Sequence, residues 1–136
     1  MSRKKYDFTF EKILELADKY HLEYEKNDEE FRNGKNYSGY IFYLPTGYVN
    51  DMEEGEREDL FCYYGINEKI GICNTLNVIV SPRNFKIVYD GFTNVENMFE
   101  LEQIVSFMVN QSVKFNNFKK EYEQEKQLMA TQKDFQ

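Results

Sequence analysis

Apolar positions along the chain first recur at helical spacing. Phe10, Ile13, Leu14 and Ala17 stand at i, i+3, i+4 and i+7, the stripe of an amphipathic helix. Thr9 or Asp7 can cap its start, because a short side-chain oxygen accepts the free N–H groups of the first turn. Near Tyr20-His21 the period changes. Leu22 and Tyr24 alternate with His21, Glu23 and Glu25, which predicts a short edge strand, with a helix continued to Phe31 as the alternative. Asn33-Gly34-Lys35-Asn36 is a turn signal and leads into Tyr37–Leu44, an aromatic and β-branched run ended by Pro45. Leu60–Tyr64 reads as the next strand. Leu76–Val80 and Phe85–Tyr89, across Ser81-Pro82-Arg83-Asn84, read as an antiparallel hairpin.

The pattern then returns to helix. Thr93 with Glu96 three residues later matches a capping box. Met98, Leu101, Val105, Met108, Ser112 and Phe115 come next at spacings of three and four, and Ile104, Phe107 and Phe118 widen the apolar face. Without a break near Asn116-Asn117 this helix would be about 50 Å long. The expected architecture is α+β: an N-terminal helix, an antiparallel sheet of four to five strands, and a long C-terminal helix packed on the sheet. One domain spans residues 1–128, followed by a frayed tail over 129–136.

A helix that long outruns a typical strand of about 17–20 Å, so its distal part is expected to overhang the sheet. Phe115, Phe118 and Tyr122 would then share one exposed face and form the seam of a homodimer.

Length and composition narrow the function classes. The chain has 136 residues, within the size of one domain. Aromatic residues make up 17%, which excludes a disordered acidic chain. No apolar run approaches the roughly 20 residues of a membrane span, and the basic start runs into Tyr6-Asp7-Phe8 rather than a secretion signal. A cytoplasmic protein with reduced Cys62 and Cys73 is expected, the thiols acting as small hydrophobes.

The net charge of -7 is uneven: residues 1–60 hold 15 acids and 9 bases, residues 61–136 hold 9 and 8. Two runs carry the excess, Glu23, Glu25, Asp28, Glu29, Glu30 and Asp51, Glu53, Glu54, Glu56, Glu58, Asp59. Such charges face water, where they either solvate the surface or meet a basic partner.

Catalytic signatures are absent: no Walker A loop, GxGxxG, HExxH or GxSxG occurs. The one imidazole, His21, reads as a surface or helix-end residue. Asp51, Glu53 and Gly55 imitate part of a calcium loop, but the twelve-residue frame ends on Cys62 rather than Glu. Two cysteines and one histidine do not complete a zinc site without a carboxylate. No catalytic residue, metal or cofactor is therefore assigned. Tyr40, Phe42, Tyr63 and Phe85 could stack on bases, but only Arg83 and Lys86 stand beside them, so direct nucleic-acid binding is not expected.

Asn, Lys, Tyr, Phe and Ile are common and Ala is confined to Ala17 and Ala130, a bias expected of an AT-rich genome. In size, charge and composition the chain resembles the small acidic proteins of phages and mobile elements, anti-CRISPR inhibitors among them. The resemblance implies a non-enzymatic inhibitor acting in the host cytoplasm. Its partner would be a basic host protein, a nuclease or other nucleic-acid-binding enzyme, met by Glu25, Asp28, Glu29, Glu30, Asp51, Glu53, Glu54, Glu56, Glu58 and Asp59. The alternative is an accessory or structural protein that self-associates through its C-terminal helix.

Overall fold

The computed structural model describes residues 7–45, 59–66, 68–82 and 84–134. Helix α1 (Phe10–Lys19) starts at Thr9, whose Oγ1 accepts the Lys12 N–H at 3.1 Å. Its buried stripe is Ile13, Leu16 and Ala17; Leu14 is half-buried, and Phe10 lies at the margin with its ring edge-on to Tyr40 and Tyr63.

The helix ends in a Schellman motif. Leu22 N–H donates to Ala17 O at 2.8 Å and His21 N–H to Asp18 O at 3.3 Å. His21 takes the left-handed conformation (φ 58), so the helix stops there and does not continue to Phe31.

The next element is a strand twice as long as the alternation at Leu22–Glu25 suggests. β1 (Glu23–Glu30) pairs antiparallel with β2 (Asn36–Tyr43), and β2 pairs with β3 (Phe61–Tyr63), in the order β1-β2-β3. The hairpin closes with Phe31 N–H on Lys35 O and Gly34 at φ 78. Apolar alternation understates β1 because it is an edge strand, where charged side chains also deter pairing with another chain.

A second sheet holds β4 (Ile70–Ser81) and β5 (Asn84–Val95), the expected hairpin, twelve residues to each strand. The five strands thus form a three-stranded and a two-stranded sheet. Leu60 joins them: its N–H donates to Phe42 O and its carbonyl accepts the Cys73 N–H.

Helix α2 (Met98–Asp134) starts later than the Thr93–Glu96 pattern suggests. Thr93 pairs with Ile72 inside β5. The cap is Asn97, whose Oδ1 accepts the Glu100 N–H at 2.9 Å, while the Glu100 carboxylate accepts the Glu96 N–H at 3.0 Å. Asp7 serves this helix instead of α1, accepting the Met98 N–H at 2.8 Å. A β-branched Thr with a cross-strand partner belongs to the ladder, and the same polar-x-x-Glu logic recurs four residues on.

The helix is continuous through Asn116-Asn117 and runs back along the hairpin as far as Tyr122, so that only its last turns, up to Asp134, extend past the tip. Tyr122 reaches the hairpin tip, donating its OH to Ser81 O at 2.7 Å with its ring against Phe85. Phe115 also packs on the core; Phe118 stays 43% exposed. The overhang expected of Phe115, Phe118 and Tyr122 assumed strands of ordinary length, whereas twelve residues reach about 40 Å.

One core unites these elements. Ile13 and Ala17 of α1, Phe42 and Phe61 of the first sheet, Ile72 and Ile87 of the second, and Leu101, Val105 and Met108 of α2 are all buried in it. Each large side chain contributes about 1.5–3 kcal/mol. Ser112 is also buried in the stripe and is satisfied within the helix, donating to Val109 O. At the free end of the core Lys19 meets Glu102 at 2.6 Å and Tyr20 OH donates to the same carboxylate, clasping α1 to α2.

Candidate functional site

The inner face of the first sheet carries Phe42, Phe61 and Tyr63 into the core, with Tyr24 at its margin against Phe42. The opposite face holds the acids. On β1 the positions Glu23, Glu25, Asn27 and Glu29 share this outer face, because side chains alternate with a period of two. Their cross-strand partners are Tyr43, Ile41, Gly39 and Tyr37, and Cys62 lies beside Ile41 in the next strand.

Two tyrosines hold the carboxylates. Tyr43 OH donates to Glu25 Oε1 at 2.6 Å. Tyr64 OH donates to Glu29 Oε2 at 2.9 Å and accepts from Asn27 Nδ2 at 2.7 Å. Both rings are buried while both acids are exposed.

Gly39 makes the second clamp possible. A Cβ there would collide with the Tyr63 carbonyl and with the Tyr64 ring, so only glycine lets Tyr64 lie across β2 and reach the edge strand. Phe31 stands edge-on to both Tyr37 and Tyr64 and closes the turn end of the face.

Asp59 completes the group. Cys62 Sγ–H donates to Asp59 Oδ2 at 3.3 Å, and the Cys73 thiol lies 3.9 Å from Asp59 O. Burial, with the charges of Asp59 and Glu29 behind it, pushes the Cys62 thiol up to about 12. Tyr64 is likewise pushed up to about 12, by burial first. At Cys62 such a shift favours the thiol over the thiolate, the nucleophilic form. His21 lies exposed at the end of α1. Among the described residues no group of His, Cys, Asp or Glu has the arrangement of a metal site.

The structure therefore unites Glu25, Glu29 and Asp59, members of both acidic runs, on one face. Asp28 and Glu30 belong to the opposite side of β1, where Asp28 accepts from Ser38. Asp51, Glu53, Glu54, Glu56 and Glu58 lie outside the described residues. Sequence reasoning missed the anchors Asn27, Tyr43 and Tyr64. The parity of Glu25, Asn27 and Glu29, and a glycine inside an aromatic strand, were the available signals.

Among the shallow concavities of the described residues is a cleft of about 340 Å³ between α1 and α2, lined by Asp7, Lys12, Glu15, Lys19 and Glu102 among others. Salt bridges already occupy most of its charges, Lys19 with Glu102 and, at 4.0 Å, Lys12 with Asp7.

These features define an α+β protein with an acidic, tyrosine-anchored sheet face. No protein-family model matches the chain, and no match is found among curated proteins or solved structures. No helix among the described residues is long and apolar enough to cross a membrane.

Proposed function

We propose that this protein is a non-enzymatic inhibitor that lays its acidic edge on the basic groove of a nucleic-acid-handling enzyme. The observation that carries the reading is the charge line of β1. Five of its eight residues are acids, three on the outer face and two on the opposite one, together one per roughly 5 Å along the edge, against one phosphate charge per about 3.4 Å along each strand of duplex DNA. Tyr43 and Tyr64 fix two of those carboxylates before any partner arrives, so less side-chain entropy is lost on binding.

Asp59 adds its charge beside Cys62 on the same face, and in the sequence it closes a run of further acids over 51–58. Charge complementarity of this kind speeds encounter and selects the partner, and the neighbouring aromatic rings supply contact area. Under this reading the partner is a host enzyme, a nuclease among the candidates, met in the cytoplasm. A phage or mobile-element source rests on size, charge and composition alone.

The test is competition. A basic enzyme captured by the protein from host lysate should be released by duplex DNA, and its activity should fall as the protein is added. The combined variant Glu25→Gln, Glu29→Gln, Asp59→Asn should fold and capture far less. Capture that duplex DNA does not displace, or that the variant retains in full, would overturn the reading.

A further inference from the structure

The far edge of the molecule is built differently from the acidic one. β5 is the last strand of the second sheet, and among the described residues no strand pairs with its outer side. It is twelve residues long, its ladder with β4 is irregular only around Asp90, which falls between the paired Tyr89 and Gly91, and such an edge is a template for another strand. Its even positions face away from α2. They include half-buried Lys86 and Val88, exposed Asp90, and Phe92, which is 67% exposed.

Helix α2 lines the same edge. Its Glu102 flank is taken by Lys19 and Tyr20 of α1. The opposite flank lies against β5, where Glu100 and Ile104 border a groove with Thr93, Asn94 and Val95. Phe107 and Phe118 continue that flank, at i+3 and i+14 from Ile104, and stay 48% and 43% exposed. From Ile104, beside Val95, to Tyr122, beside Phe85, the helix covers about 27 Å, and β5 covers about 30 Å over the facing stretch. The apolar flank thus tracks the edge over most of its length.

We propose that a second copy of this chain occupies this edge, the two β5 strands pairing antiparallel about a two-fold axis at Val88. The strand's own charges set the register. With Val88 opposite Val88 of the second copy, Lys86 faces the second copy's Asp90 and Asp90 faces its Lys86, two opposite-charge pairs from one symmetric contact. Neither residue makes an ion pair within the described residues of the monomer. A shift by two residues in either direction removes both charge matches.

The layer spacing agrees. Each copy contributes two strands, so the two α2 helices stand about 9.6 Å apart, within the roughly 8–10 Å of packed helices. Phe118 lies about 6 Å along the helix before Tyr122, and Val88 about 10 Å along the strand from Phe85, so Phe118 stands within about 4 Å of the level of the axis. A monomer leaves Phe107 and Phe118 wet; the four-stranded dimer covers them. The pairing does not depend on the inhibitor reading, because the acidic face belongs to the first sheet and the seam to the second.

Light scattering and sedimentation of the full chain test the proposal. Wild type should be dimeric at high micromolar concentration. Lys86→Glu sets like charges opposite each other twice and should weaken the dimer about tenfold or more. Adding Asp90→Lys to it should restore the dimer, whereas a merely structural effect of the first change would not be rescued. Val88→Cys should cross-link under mild oxidant, because facing Cα atoms in an antiparallel pair lie about 4.5–5.5 Å apart, within disulfide range. Ile79→Cys on β4 should not. A wild-type monomer at high micromolar concentration, a dimer indifferent to Lys86→Glu, or no cross-link through Val88→Cys would each overturn the proposal.

Discussion

Cys62 is half-buried between Asp59 and the acidic face, and its titration is the sharpest local consequence of that position. Its folded value of about 12 stands above the ordinary 9.0. Above 9.0 the unfolded chain gives up a proton that the folded chain keeps. Stability is therefore full below 9.0 and falls as pH rises from there toward about 12. Urea midpoints across that window should decline, and the decline should be shallower in Cys62→Ala; identical slopes would show that the thiol is not the cause. Slow labelling of native Cys62 near neutral pH should accompany it.

Gly39 makes an independent residue-scale prediction. Gly39→Ala should cost at least about 1–3 kcal/mol by overpacking and should unseat Tyr64 from Asn27 and Glu29. Tyrosine fluorescence and a denaturation midpoint check it, and an unchanged midpoint would mean that the close approach is relieved cheaply.

At the scale of elements, α2 illustrates why caps need tertiary context. Thr93-x-x-Glu96 and Asn97-x-x-Glu100 both fit the pattern of a helix start. The ladder with β4 claims Thr93, so the helix begins at Met98 and Asp7 from across the fold adds a second acceptor. Asn97→Ala should lower stability by about 1 kcal/mol, and Thr93→Ala should act only through its strand position. Helix content and midpoints of the two variants separate these effects.

The same hairpin explains Tyr122. Side-chain spacing assigned it correctly to a row with Phe115, and hairpin length decided that this row has a floor beneath it.

The whole molecule is polarised. The acidic strand β1 is an edge of the first sheet and β5 an edge of the second, where the apolar flank of α2 lies, and Leu60 links the two sheets through Phe42 and Cys73. If the acidic end docks on a basic groove, its association rate should fall as salt rises, while dissociation should change less. Stopped-flow association between low and physiological ionic strength measures this, and a salt-independent rate would count against electrostatic docking.

The amino-acid sequence alone determined the α+β class, the stripes of α1 and α2, the hairpin across Ser81–Asn84, and the exposure of Asp59 and the acids of β1. Each of these comes from local periodicity and from the cost of burying charge, which neighbouring residues already express. Tertiary structure decided the rest. Strand lengths came from pairing partners, as β1 took its eight residues from β2 and the hairpin its twelve from mutual pairing. The joining of Glu25 and Glu29, held by two tyrosines, with Asp59, held by Cys62, came from cross-strand register, which brings together positions more than thirty residues apart. No local pattern encodes that distance. Only the closing of the chain onto one core sets which side chains share a face.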